Sequence, residues 1–342
     1  MLKRDSLQDA LFATILAQFP NRTAAVDALS QLLDVGKAPV YRRLNGQTLL
    51  TPREITLLAQ TYSISLDDLM GTGRHRLTFT FNRTQKAPAH TDPLENWLAP
   101  IQGELELAVK LPEVKVWYVT SEIPVFMHMM EPDLFAFKLY AWSGTAWQMD
   151  HLEKLPFHFD MFPPSLLERA KNMAALYQQI PGVEIWTINA LDNSLYQIEY
   201  KLRCGAFRNP ADALRICDCI ANVVDKLEHM SRTGEKELIP GKPKAPFELY
   251  CNEMLYAHST ILLHSSIIEK VFLVYGNPNN LTTTDPAFCS YTGKWFEYLM
   301  RNSAQISGPS EVNRGYFFSR LRQKLEASRQ RINSQLYQIR HT

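Results

Sequence analysis

The apolar positions of this chain change period near residue 71, and that change divides it. Before it they recur three and four apart, as on the buried side of short helices. Leu7, Leu11, Ile15 and Leu16 define one helix over 6–18. Ala24, Ala25, Ala28, Leu29, Leu32 and Leu33 define a second, with Asn21 as its N-cap. This helix is expected to stop at Asp34-Val35-Gly36, with Gly36 taking the positive φ of a tight turn. Pro39 is tolerated only in a helix's first turn, so a short new helix follows, with Val40 and Leu44 as its buried seam and Asn45-Gly46 as its end. Thr51, Pro52 and Glu54 carry the cap, first-position proline and third-position carboxylate of another helix, backed by Ile55, Leu57, Leu58 and Ala59. A last short helix at 65–69 has two carboxylates in its first turn, where the helix dipole favours them.

After Gly71-Thr72-Gly73 the period becomes two. Leu77, Phe79 and Phe81 alternate over 74–81, which predicts a strand. Further strands are expected at 114–120, 183–188, 247–251, 259–263 and 267–275. Helices are expected at 92–110, 164–179, 192–204, 210–230, 285–300 and from 309 onward. The strand–helix–strand order over 74–120 suggests a parallel βαβ unit, and the last three strands a small antiparallel set. The run 123–142, split by Pro132, reads as two buried helices, too short to span a membrane. The Pro- and Gly-bearing segment 231–246 reads as an exposed loop. The expected fold is an all-α helix-turn-helix domain at 1–71, then a mixed α/β domain at 72–342 with about six strands and packed helices.

Two short helices joined by a tight turn, then two more, follow the helix-turn-helix plan. The segments 32–46, 57–60 (Leu-Leu-Ala-Gln) and 64–69 (Ile-Ser-Leu-Asp-Asp-Leu) resemble phage-repressor-type, Cro/repressor-like helix-turn-helix regulators. That resemblance implies sequence-specific binding of double-stranded DNA and a role in transcription regulation. It departs from the family at Pro39 and Leu44. With Val40 and Leu44 facing inward, about 100° per residue turns Arg42 outward, flanked by Ala38 and Asn45. Arginine pairs bidentately with guanine and asparagine with adenine, so Arg42 and Asn45 are candidate base readers. Lys37, Tyr41 and Arg43, at the sides, are candidate phosphate contacts. The whole chain is also similar to uncharacterised bacterial helix-turn-helix transcription regulators, most over 183–335, for instance Thr282-Thr283-Thr284-Asp285-Pro286-Ala287-Phe288-Cys289. This second resemblance implies no ligand.

Charge sharpens the picture. Residues 1–74 hold eight Lys/Arg against seven Asp/Glu, a weak footprint for DNA, which argues for a homodimer reading two half-sites. Phe318, Leu325, Ile332 and Ile339 recur every seven residues in the basic last helix, 309–339. That line either docks on its own domain or pairs with a second copy, its arginines then reaching flanking phosphates. Five scattered cysteines fit a reduced, cytoplasmic protein, with Cys217 and Cys219 as buried thiols rather than metal ligands. The start is amphipathic rather than signal-like. No catalytic motif, cofactor loop or metal-ligand spacing is present; His128 with Glu131, and His151, His158 and Asp160, read as ordinary core or surface residues. The aromatics between Trp117 and Trp147 read as core, and any pocket beside them as the place for an unknown small-molecule effector. The alternative reading is an enzyme-like α/β domain targeted or regulated by the helix-turn-helix.

Overall fold

A computed structural model describes residues 7–19, 21–62, 64–69, 77–82, 93–147, 149–255 and 258–341. The chain forms two compact units, Met1–Leu77 and Thr78–Thr342. The boundary expected at 71/72, the Gly71-Thr72-Gly73 break, the first residues of the forecast first strand and the connector at 84–92 lie outside the described residues.

The first unit comprises α1 (Leu7–Leu16), α2 (Arg22–Leu33), α3 (Lys37–Leu44), α4 (Pro52–Thr61) and α5 (Leu66–Leu69). Leu11, Phe12, Ile15, Val26, Leu29, Val40, Leu50 and Leu58 make its core. Asn21 caps α2 by accepting from Ala24 N at 2.9 Å. Thr51 and Glu54 form the reciprocal capping box that starts α4. The turn after α2 differs from expectation. Asp34, not Gly36, holds the left-handed conformation (φ 52°), and Val35 N closes the turn on Ser30 O at 3.1 Å. Gly36 is extended (φ −65°, ψ 164°) and is the N-cap of α3. An aspartate tolerates αL because its short polar side chain costs little there.

Gln8, nearly buried, ties α1 to the segment after α3. Its amide donates to Arg43 O (2.7 Å) and Thr48 O (2.9 Å), and its carbonyl accepts from Leu50 N (2.7 Å). The Leu50 N–H, on a buried residue, thereby gains its partner.

The second unit is a mixed sheet with helices on both faces. In chain order it runs β1 (Thr80–Asn82), α6 (Pro93–Ala108), β2 (Lys115–Thr120), α7 (Val125–Met129), α8 (Pro132–Thr145), α9 (Asp150–Glu153), α10 (Pro164–Tyr177) and β3 (Gly182–Trp186). Then come α11 (Asp192–Arg203), α12 (Asp212–Thr233), β4 (Glu235–Lys236), β5 (Ala245–Cys251), β6 (Thr260–His264) and β7 (Glu269–Val274). The unit ends with β8 (Asn280–Thr283), α13 (Pro286–Arg301), β9 (Ala304–Gln305) and α14 (Glu311–His341). Among the described residues the sheet has nine strands in the order β1-β8-β7-β6-β2-β3-β5-β4, with β9 on β5. Five of the six forecast strands form; of the first, 74–81, only Thr80 and Phe81 fall in β1, and 77–79 are not strand. The three others, β4, β8 and β9, are two to four residues long, too short for an alternation to show.

The pairing departs from expectation in two ways. β1 does not form a parallel unit with β2; it pairs antiparallel with β8 at the sheet edge. The parallel pairs are β2 with β3 and β3 with β5, whereas β6, β7 and β8 form the antiparallel half. β5 therefore belongs to the parallel half, not to a set with β6 and β7.

One sheet face packs on α13 through Val119, Leu262, Val271 and Phe296. The other faces the main core, where α7 and α8 lie buried as expected. The segment 231–246 is an exposed loop only over 240–244; before that it holds the end of α12, β4 and a buried stretch. Leu238 and Ile239 are buried, and the fully buried Gln178 anchors them with five hydrogen bonds, two accepted from Leu238 N and Ile239 N, three donated to Ile239 O, Lys242 O and Pro243 O. Prolines and glycines hid this segment because its polar backbone is satisfied by a side chain rather than a ladder.

α14 docks on α11 and α12 of its own unit. Phe318, Leu325 and Ile332 of the seven-residue line are buried, with Leu321 and Leu336 beside them, whereas Ile339 is exposed. Four of its cations form ion pairs as well: Arg322 with Asp225 and Glu228, Lys324 with Asp192, Arg329 with Asp218, Arg331 with Glu199. The apolar line is a docking seam within the chain, and these charges are paired rather than free for phosphates. No helix among the described residues is long and apolar enough to cross a membrane.

Candidate nucleic-acid interface and ligand cavity

The surface of α3 follows from its one buried seam. Val40 is fully buried and Leu44 packs partly on the same core, so the opposite face is open. Lys37, Ala38, Tyr41, Arg42 and Asn45 are exposed. The six residues singled out from the sequence are not equivalent. Arg43 is half-buried, and its guanidinium pairs with Glu54 at 2.8 Å, tying α3 to the capping box of α4. Burial pushes the Glu54 carboxyl up, but Thr51's N–H and hydroxyl and the Arg43 charge outweigh it and hold it below its usual value. Arg43 is thus spent on holding helices together, not on a phosphate. Lys37 pairs with Asp27 of α2 at 2.5 Å, and that hydrogen bond and charge raise its pKa. Asn45 accepts from Arg22 at 3.1 Å. Arg42 alone among the cations of α3 has no side-chain partner among the described residues.

The second unit holds a cavity of about 530 Å³ between α6 and the antiparallel half of the sheet. Strand register builds its floor. Val116 lies opposite Leu263, Tyr118 opposite Ile261, Ile261 opposite Phe272, and Phe272 opposite Thr282, so one face of four adjacent strands points at the cavity. α6 supplies the roof, with Trp97, Ile101 and Glu104 at helical spacing. α7, α8 and α10 close the inner end with Phe126, His128, Trp142 and Tyr177. Of the aromatics noted in the sequence, Tyr118, Phe126 and Trp142 line the cavity. Phe135, Phe137 and Tyr140 are core, Trp147 is buried against Trp97 and Trp142, and Trp117 lies on the opposite sheet face beside His264. Sequence reading missed Trp97, Glu122, Tyr177, Lys270 and Phe272. Only Trp97 had a local signal, the spacing of Leu94, Trp97, Leu98 and Ile101 along α6.

The cavity's polar groups differ in how they are satisfied. Lys270 bridges to Glu104 across the wall at 2.6 Å. Glu122 accepts from the Asn277 amide at 2.9 Å. His128 is 1% exposed, and neither ring nitrogen has a hydrogen-bond partner among the described residues. Burial, and then the nearby Lys138 ammonium, hold its pKa well below the usual histidine value, so the ring is neutral. Lys138 is itself buried against the Trp142 ring. It donates to Gln197 at 2.8 Å, and burial pushes it down to about 8 against the opposing pull of Glu122.

Behind Tyr177 lies a second buried polar group. Glu184, opposite Tyr118 in the sheet, accepts from Tyr177 Oη (2.8 Å) and Trp186 Nε1 (2.7 Å). Lys236 donates to Ile180 O at 2.8 Å and sits 3.9 Å from the Tyr177 ring centre. A Cβ at Gly182 would lie 2.5 Å from Lys236 Nζ, so glycine leaves room for the ammonium. Burial raises the Glu184 carboxyl and lowers the Lys236 ammonium, each partly restored by the other's charge.

Cys217, Cys219, Cys251 and Cys289 are buried free thiols, and Cys204 is exposed. No group of three His, Cys, Asp or Glu that could hold a metal ion occurs among the described residues. No protein-family model, curated protein or solved structure matches this chain.

Proposed function

We propose that this chain is a sequence-specific DNA-binding transcription regulator. In this reading the α2–α3 pair is a helix-turn-helix, α3 enters the major groove, and residues 78–342 are a dimerising and ligand-sensing unit rather than an enzyme. The observation that carries the proposal is the exposed face of α3, where Arg42, with no side-chain partner among the described residues, stands between Ala38 and Asn45 on a helix fixed by Val40 and by the Arg43–Glu54 pair. Such a face suits base-edge readout, because an unpaired guanidinium loses no existing ion pair on meeting guanine. Lys37 and Tyr41 flank it for phosphates. The near-neutral charge of residues 1–74 calls for two copies, each on one half-site.

The test is selection of duplexes from a random pool by the full chain at near-physiological salt. The expected result is one enriched motif, an inverted repeat whose half-site centres lie about 34–36 Å apart or a multiple of that. Recovery of no motif above the starting pool would sink the proposal.

A further inference from the structure

The cavity of the second unit has an unbalanced set of polar groups, and the imbalance points to one kind of ligand. Glu104 is neutralised by Lys270. Glu122 has only a neutral partner, Asn277, and no cationic side chain pairs with it among the described residues. The cavity thus carries a carboxylate with no ion-pair partner among the described residues, on which the buried Lys138 acts only through space. Its walls are aromatic rings, Trp97 and Trp142 lying 5.9 Å apart and Phe126 stacking on Tyr177 at 4.2 Å. Aromatic faces attract cations, most strongly where water is excluded. His128, neutral and unpartnered, offers one N–H and one lone pair at the same wall. A buried polar side chain without a partner is costly, so a ligand's polar group there is stabilising.

We propose that this cavity binds a protonated aromatic amine, its ammonium held by Glu122, its ring among Trp97, Trp142 and Phe272, and a ring N–H or hydroxyl meeting His128. An anion of the same shape meets Glu122, and the one cation among the described lining residues, Lys270, is already paired with Glu104; a neutral analogue forgoes the charge-assisted bond. The volume, about 530 Å³, lies within the range of small-molecule sites. The inference deepens the sensing role proposed for residues 78–342 and rests on that reading. Binding is read without DNA, so its failure and the failure of the DNA-binding reading are separate results.

The test is calorimetric titration of the full chain with tryptamine, 3-methylindole and indole-3-acetate, one ring carrying positive, no and negative charge. Tryptamine is expected to bind about tenfold or more tighter than 3-methylindole, with indole-3-acetate weakest. Glu122→Gln keeps an acceptor for Asn277 and removes the charge. It is expected to bring tryptamine down to the affinity of 3-methylindole while leaving 3-methylindole unchanged, which also shows that the cavity has survived. His128→Phe keeps the ring beside Trp142 and is expected to weaken all three probes alike. No binding by any probe, equal affinities across the series, or a preference for tryptamine that survives in Glu122→Gln would each overturn the proposal.

Discussion

Ile332→Ala separates the two roles open to the last helix. Ile332 is fully buried where α14 meets α11 and α12, and it sits on the seven-residue line that would serve a helix pairing with a second copy. The substitution removes three carbons. At about 0.8 kcal/mol per buried carbon the transfer loss is about 2.5 kcal/mol. The residual cavity adds to it, giving about 3–4 kcal/mol, within the ~2–5 kcal/mol range for such truncations. All six tryptophans, Trp97, Trp117, Trp142, Trp147, Trp186 and Trp295, lie in the second unit, so their fluorescence reports its unfolding without interference from the first. For a unit of this size the loss corresponds to a melting temperature about 6–12 °C lower. The gap between wild type and variant is expected to stay constant over a roughly hundredfold range of protein concentration, because the lost contacts are within one chain. A loss below about 1 kcal/mol, or a gap that shrinks on dilution, would refute the intrachain docking of α14.

Two further outcomes follow from local geometry. Gly36→Ser is expected to leave stability unchanged or raise it by up to about 1 kcal/mol, because the position is an extended N-cap whose added Cβ meets only Pro39 Cδ at 3.7 Å. A clear drop in the helical melting transition would show that the turn needs glycine after all. Stability should also rise between about pH 7 and 9, because Lys138 is pushed down to about 8 from 10.5. Below pH 8 both folded and unfolded chains carry its proton and the burial penalty is complete; above it only the unfolded chain keeps the proton, so the folded state gains about 1 kcal/mol. Lys236, also pushed down to about 8, adds a rise of its own, so Lys138→Met should remove about half of the total in urea titrations, and an unchanged slope would contradict the burial assigned to Lys138.

The first unit was largely legible because its determinants are local. Asn21, Thr51-Pro52-Arg53-Glu54 and the Val40/Leu44 seam each act within one helical turn, and each behaves as its chemistry dictates. What failed there depended on longer reach. Glycine chemistry points to Gly36 for the left-handed role that Asp34 takes, and helix spacing leaves Arg43 at the side although Glu54, eleven residues on, claims it. In the second unit the alternation located strands but not their neighbours. Nothing local tells Gly182 to lie beside Val116, or β1 to join the edge at β8. The cavity draws its lining from nine elements, β1, α6, β2, α7, α8, α10, β6, β7 and β8, so the sequence shows only those of its aromatics that crowd together along the chain. The buried Lys236 was hidden by its surroundings. It follows a helix-ending glycine and precedes prolines, and only the space left by Gly182, some fifty residues earlier, makes its burial possible.

In the proposed function α3 reads DNA through Arg42. The direct measurement compares affinity for the duplex recovered by selection with affinity for a scrambled duplex, in wild type, Arg42→Ala and Lys37→Ala, over a range of salt. Arg42→Ala is expected to cut the specificity ratio by about 1–3 kcal/mol, roughly 5- to 150-fold. Lys37→Ala is expected to weaken both duplexes alike and to lower the salt slope by less than about one, since Asp27 already shares its charge. A specificity ratio that Arg42→Ala leaves unchanged would contradict the account, for it would mean that the exposed face of α3 does not meet the bases.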